Sequence, residues 1–99
     1  MIVYVSIGNS DDSLTQEKWS EFTHRVEQDL SISAKNMHGR WFSQPNSPWQ
    51  NACWCIELSD DEEIIDELQE RLGILAGRYS QNSIAWAEAE ITFIYAAKS

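Results

Sequence analysis

The apolar residues of this chain recur with two different periods, and the order in which those periods alternate constrains the fold more than any other feature. Residues 2–7 are a short run rich in β-branched side chains, the mark of a strand. Trp19, Phe22, Val26 and Leu30 then recur at spacings of 3, 4 and 4 in an otherwise charged segment, which is the spacing of one helix face. Thr15 is placed to cap that helix, Leu14 to staple onto Trp19, and Glu17 to sit in the favourable first turn. Residues 35–43 read as extended, with Met37, Gly39 and Trp41 on one side and His38, Arg40 and Phe42 on the other. Pro45 and Pro48 forbid regular structure in the next loop. Residues 51–58 alternate again, Ala52, Trp54, Ile56 and Leu58 against Cys53, Cys55 and Glu57. Ser59, Asp60, Asp61 and Glu62 form a capping box whose acids oppose the dipole of a second helix. Ile65, Leu68, Leu72, Leu75 and Ala76 supply its buried stripe, and Gly77 or the segment 79–82 ends it. Residues 83–95, rich in Ala, Ile and aromatics, read as one long closing strand.

The order is therefore β-α-β-β-α-β. Right-handed crossovers and antiparallel pairing turn that order into an α+β ferredoxin-like domain, a four-stranded antiparallel sheet with both helices on one face. The term describes topology and implies no iron–sulfur cluster. A chain of 99 residues without repeat or linker is one domain, residues 1–99. With 42% hydrophobic residues it is too apolar for disorder, and 4 Gly, 2 Pro and 2 Cys exclude collagen and disulfide scaffolds. At this length roughly 60–65% of the unfolded surface is buried on folding, enough for one two-layer core and little enclosed cavity.

The net charge of −9 repels phosphate backbones, so no direct contact with nucleic acid is expected. The same charge suits a basic protein partner, or a protein that occupies a nucleic-acid-binding surface in place of the nucleic acid. No apolar run approaches the roughly 20 residues of a membrane span, and the first residues lack the basic start of a secretion signal. These features predict a soluble cytoplasmic protein with Cys53 and Cys55 reduced.

The predicted topology gathers three connections at one end, residues 8–14, 43–50 and 78–83, all rich in Asn, Ser, Gln and Asp. Asn9, Asp11, Asp12, Trp49, Gln50 and Asn51 are the partner-binding candidates there, since loops on a rigid scaffold carry binding and Trp is a frequent interface anchor. Glu63, Asp66, Glu67 and Glu70 are a second set of candidates, forming an acidic stripe on the solvent side of the second helix. Like charges at that spacing cost a helix a few tenths of a kcal/mol each, which suggests a complementary partner.

The sheet face away from the helices is a third surface, an alternative ligand or dimer site. It is expected to carry Tyr4, Ser6, His38, Arg40, Trp86, Glu88 and Glu90, with Gly39 opposite Trp54, Arg40 opposite Cys53 and His38 opposite Cys55. Two identical sheets packed together through its aromatics would make a homodimer. His38, Cys53 and Cys55 offer three soft ligands but no fourth, so no metal and no cofactor is assigned. No catalytic motif occurs and no catalytic residue is assigned; His24 lies beside Glu21 and Glu27, where ion pairing accounts for it.

The stretches YVSIGNSDD, HGRW, QNACWC and NSIAWA resemble segments of small uncharacterised ferredoxin-like proteins from actinobacteria and the phages that infect them. The resemblance covers nearly the whole chain. It implies an accessory or phage-borne origin, in which small acidic proteins act by binding and blocking a host protein. It brings no catalytic residues with it. The leading expectation is thus a non-enzymatic protein-binding module that blocks a basic or nucleic-acid-handling partner. The alternative is a homodimeric small-molecule-binding protein or enzyme using Tyr4, His38, Trp41 and Trp86.

Overall fold

Val3, Val5 and Ile7 alternate with Tyr4 and Ser6, so a strand there buries one face and leaves the other open. A computed structural model, which describes residues 1–9 and 12–97, obeys that rule along the chain. The elements are β1 (Ile2–Gly8), α1 (Gln16–Ser33), β2 (Asn36–Phe42), β3 (Asn51–Glu57), α2 (Glu62–Arg78) and β4 (Ala85–Ala89). The sheet order is β2-β3-β1-β4 with every neighbouring pair antiparallel, the ferredoxin-like arrangement. β1 and β3 are central, and their inward residues Val3, Val5, Ala52, Trp54 and Ile56 meet the stripes Phe22, Val26 and Leu30 of α1 and Leu68, Leu72 and Leu75 of α2. Each fully buried Val, Leu or Phe in such a core contributes about 1.5–3 kcal/mol. Among the described residues no helix is long and apolar enough to cross a membrane.

The helix ends show what the residues do locally. Thr15 caps α1 as expected, its Oγ1 accepting from the Lys18 amide at 3.2 Å. α2 is capped by Asp61, whose Oδ1 accepts from the Glu63 amide at 2.9 Å, not by Ser59. Its far end closes with the Ser80 amide on the Gly77 carbonyl and the Gln81 amide on the Ala76 carbonyl, with Ser80 in the left-handed region at φ 56. Gly77 therefore lies within the helix, and the stop falls in the segment 79–82.

Three expectations are corrected. A bulge at His38, between Met37 and Gly39, absorbs one residue of β2 and inverts the facing of the rest of that strand. Gly39 then opposes Cys55 and Arg40 opposes Trp54, so Arg40 is on the helix side and not on the open face. On β4, Val5 opposes Trp86 and Val3 opposes Glu88, which places Trp86 against the core and leaves Ala85, Ala87 and Ala89 on the open side. The long final strand is also shorter than expected. Pairing with β1 ends at Ile2 opposite Ala89, and residues 90–97 leave the sheet without a ladder partner.

Candidate functional site

Asn9 holds the three-loop end together. Its amide donates to the Gln50 carbonyl at 3.0 Å, and its side-chain nitrogen donates to Gln50 Oε1 at 2.9 Å and to the Leu14 carbonyl at 3.0 Å. Its side-chain oxygen accepts from the Leu14 amide at 2.9 Å. Gln50, only 7% exposed, passes the connection on, its Nε2 donating to Gln16 Oε1 at 3.1 Å, while Gln16 Nε2 donates to the Pro45 carbonyl at 2.9 Å. Gln81, also buried, donates to the Tyr79 carbonyl and reaches Ser13 Oγ at 3.4 Å, tying the α2–β4 connection to the β1–α1 connection. Gln50 and Gln81 are the buried members of this network, and they fix the loop positions because losing a partner would strand their polar groups away from water.

Trp49 stands on this platform and is 81% exposed. Its own backbone is held: the amide donates to Ser47 Oγ at 3.2 Å, and the carbonyl accepts from Asn51 Nδ2 at 2.9 Å. Ser43 and Asn51 close the base of the loop, the Ser43 amide donating to the Asn51 carbonyl at 2.9 Å and the Asn51 amide to Ser43 Oγ at 3.0 Å. Between the two loops lies a groove of about 380 Å³, lined by Asp12, Leu14, Gln16, Ser47, Pro48 and Gln50 among others, the chain neighbours of Trp49 but not its indole. Of the sequence candidates, Asn9, Asp12, Trp49, Gln50 and Asn51 are thus brought together, with Asn9 and Gln50 as supports and Trp49 as the projecting group. Asp11 lies outside the described residues. Sequence reasoning missed Gln16 and Ser47; Gln16, one residue past the Thr15 cap, carried the only signal, since the first helical turn must face the loops.

Glu63, Asp66, Glu67 and Glu70 are all exposed and with Ile64 line an open recess of about 420 Å³. Among the described residues none of these four carboxylates is in an ion pair. The stripe does not join the loop end. α2 starts at the opposite end of the domain, and even Glu70, the last of the four, precedes Arg78 by about 12 Å at 1.5 Å per residue.

On the open face, Tyr4 opposes Cys55, and hydrogen bonding to that thiol holds the phenol above its ordinary pKa. His38 is turned to Glu57, at 2.9 Å, and that contact holds the Glu57 carboxyl below the usual range. Arg40 and Trp86 do not belong to this group. Arg40 donates to Glu27 Oε1 at 2.8 Å, beside the Trp54 Nε1 that donates to the same oxygen at 3.0 Å. Burial alone would raise the Glu27 pKa; the Trp54 and Arg40 hydrogen bonds outweigh it and hold the carboxyl below its ordinary value. Trp86 lines a separate recess with Gln69, Leu72, Gly73 and Ile84. Tyr4, His38, Trp41 and Trp86 therefore do not converge on one pocket.

The chain matches no protein-family model and no curated protein.

Proposed function

We propose that this protein is a stoichiometric, non-enzymatic binding module that inserts Trp49 into a partner protein bearing a basic surface and blocks it. One observation carries this reading: a Trp that is 81% exposed, on a loop whose backbone is already fixed by hydrogen bonds. An indole left in water on a mobile loop would lose much of its binding energy to ordering; on a pre-set loop that loss is small. Seating a Trp buries about 150–250 Å² and makes it an anchor worth about 2 kcal/mol or more on truncation. Asp12, Ser47 and Gln50 line the neighbouring groove and offer polar groups to the same partner.

The acidic stripe of α2 has a different part in this reading. It lies too far from Trp49 to share one small contact, yet its field, with the net charge of −9, draws a basic partner toward the encounter. Its effect belongs in the association rate and in salt dependence, while Trp49 governs dissociation.

The test is calorimetry and stopped-flow binding on the partner captured from source cells, comparing wild type, Trp49→Ala and the triple variant Glu63→Lys, Asp66→Lys, Glu67→Lys. Trp49→Ala weakens affinity by about 30-fold or more through faster dissociation. The triple variant slows association and flattens its salt dependence. Wild-type affinity in the Trp49→Ala protein overturns the proposal.

A further inference from the structure

Beyond Ala89 the chain continues as Glu90, Ile91, Thr92, Phe93, Ile94 and Tyr95, and this arm is bare. Ile91, Phe93, Ile94 and Tyr95 are 63, 73, 95 and 86% exposed. Ile91, Phe93 and Tyr95 continue the odd positions that Ala85, Ala87 and Ala89 hold on the open side of β4, and Ile94 between them is as bare. The arm thus offers four uncovered apolar side chains directly beyond the edge of the open sheet face.

That face has the complementary character. Ser6, Gly39, Ala85, Ala87 and Ala89 give it a low floor between the half-exposed rings of Tyr4 and Trp41. In a chain that is 23% charged, Glu57 and His38, paired with each other at one end, are the acid and base among the described residues on that face. Neither a basic nor an acidic partner finds counter-charges here, whereas a second copy of this chain brings the same uncharged surface. Face to face, the two helical layers point outward, and the acidic stripes of α2 stay well beyond the roughly 8 Å over which charges interact at physiological salt.

The area decides how much of the molecule takes part. Four strands about 4.8 Å apart, and five to seven residues long at about 3.3 Å each, cover roughly 400 Å². A stable interface takes about 800 Å² from each partner, so the sheet face alone falls short by half. Phe93 and Tyr95, at about 150–250 Å² for each buried ring, supply the remainder with Ile91. The large side chains of the arm also match a floor of Ala, Ser and Gly.

We infer that the open sheet face and the 90–97 arm are two halves of one homodimer interface, each arm lying on the sheet of the other copy. Cys53 and Cys55, free thiols on the open face, fall inside the interface and serve as native reporters.

Sedimentation velocity of the full chain over a range of concentrations tests this, with the rate of thiol labelling by an aromatic disulfide as the second readout. Wild type sediments as a dimer, and its thiols become less reactive as concentration rises. Ala87→Glu and Phe93→Asp each raise the dimer dissociation constant at least about tenfold and remove that protection. Phe93 is 73% exposed, so Phe93→Asp leaves the fold intact, as circular dichroism will register even if Ala87→Glu misfolds. Trp49→Ala stays dimeric, which separates this interface from the loop end. A wild type that remains monomeric at every concentration, or a dimer that survives Phe93→Asp, overturns the inference; so does a monomer whose thiols are protected, because its arm then covers its own sheet.

Discussion

Replacing Asn9 by Ala removes the side chain that joins the β1–α1 connection to the Trp49 loop. Four bonds are lost, from the Leu14 amide at 2.9 Å, to the Leu14 carbonyl at 3.0 Å, to Gln50 Oε1 at 2.9 Å and a longer, exposed one to Asp12 Oδ1 at 3.4 Å. The Leu14 groups are partly accessible, so water replaces much of what they lose. Gln50 is 7% exposed and its Oε1 has no other donor among the described residues, so that oxygen bears most of its desolvation cost. One net hydrogen bond is worth about 1 kcal/mol and a stranded buried acceptor about 1–3 kcal/mol, giving a loss of about 2–4 kcal/mol in all. Asn9→Asp keeps the acceptor for the Leu14 amide but sets carboxylate oxygens against Gln50 Oε1 and the Leu14 carbonyl. It is therefore no better than Ala at neutral pH and recovers part of the loss once protonated. Urea unfolding followed by circular dichroism gives the free energies, and amide exchange at Leu14 and Asn51 reports the loop. An Asn9→Ala protein within about 0.5 kcal/mol of wild type, with unchanged exchange at both amides, refutes the idea that this network pre-sets Trp49.

Glu27 gives a second prediction, since its Oε1 is the acceptor for the buried Trp54 indole and for Arg40. Glu27→Ala costs about 2–4 kcal/mol in urea unfolding, and Glu27→Gln, which keeps an acceptor, costs less than half of that. The Glu27 carboxyl is held below its ordinary value in the folded protein. Its contribution is therefore complete above the unfolded pKa and is lost as pH falls through the lower folded one, so urea midpoints fall as the solution is acidified through the carboxylate range and fall less in Glu27→Gln. At the end of α2, Ser80→Gly relieves a left-handed backbone at φ 56 and raises stability by about 0.5–1 kcal/mol, read as a higher Tm, while Ser80→Ala gives no gain.

Both helices and the sheet order were legible because their signals are redundant: Trp19, Phe22, Val26 and Leu30 repeat one face four times over, and all four are buried. Registers were not, because a single residue decides them. The His38 bulge has no marker in the sequence beyond the neighbouring Gly39, yet it moves Arg40 from the open face to Glu27. The parity of β4 was misjudged for a related reason. Trp86 and Glu88 alternate with Ala on both sides, and only the packing of Trp86 on Leu72 and Ile84 selects its face. Residues 90–97 have every local property of a strand, but a strand requires a neighbour, and β1 offers none past Ile2. At the candidate site, Trp49 and its polar surroundings were visible from composition. The Asn9, Gln50 and Gln16 bonds join residues 34 and 41 apart, so only the fold brings them together.

Hydroxyl-radical footprinting of the protein, free and in complex with its captured partner, addresses the role of Trp49 at residue resolution. In the free protein the Trp49 indole oxidises fastest of the five tryptophans, and in the complex its oxidation falls to the level of fully buried Trp54. Equal oxidation of Trp49 in both states contradicts its role as the anchor.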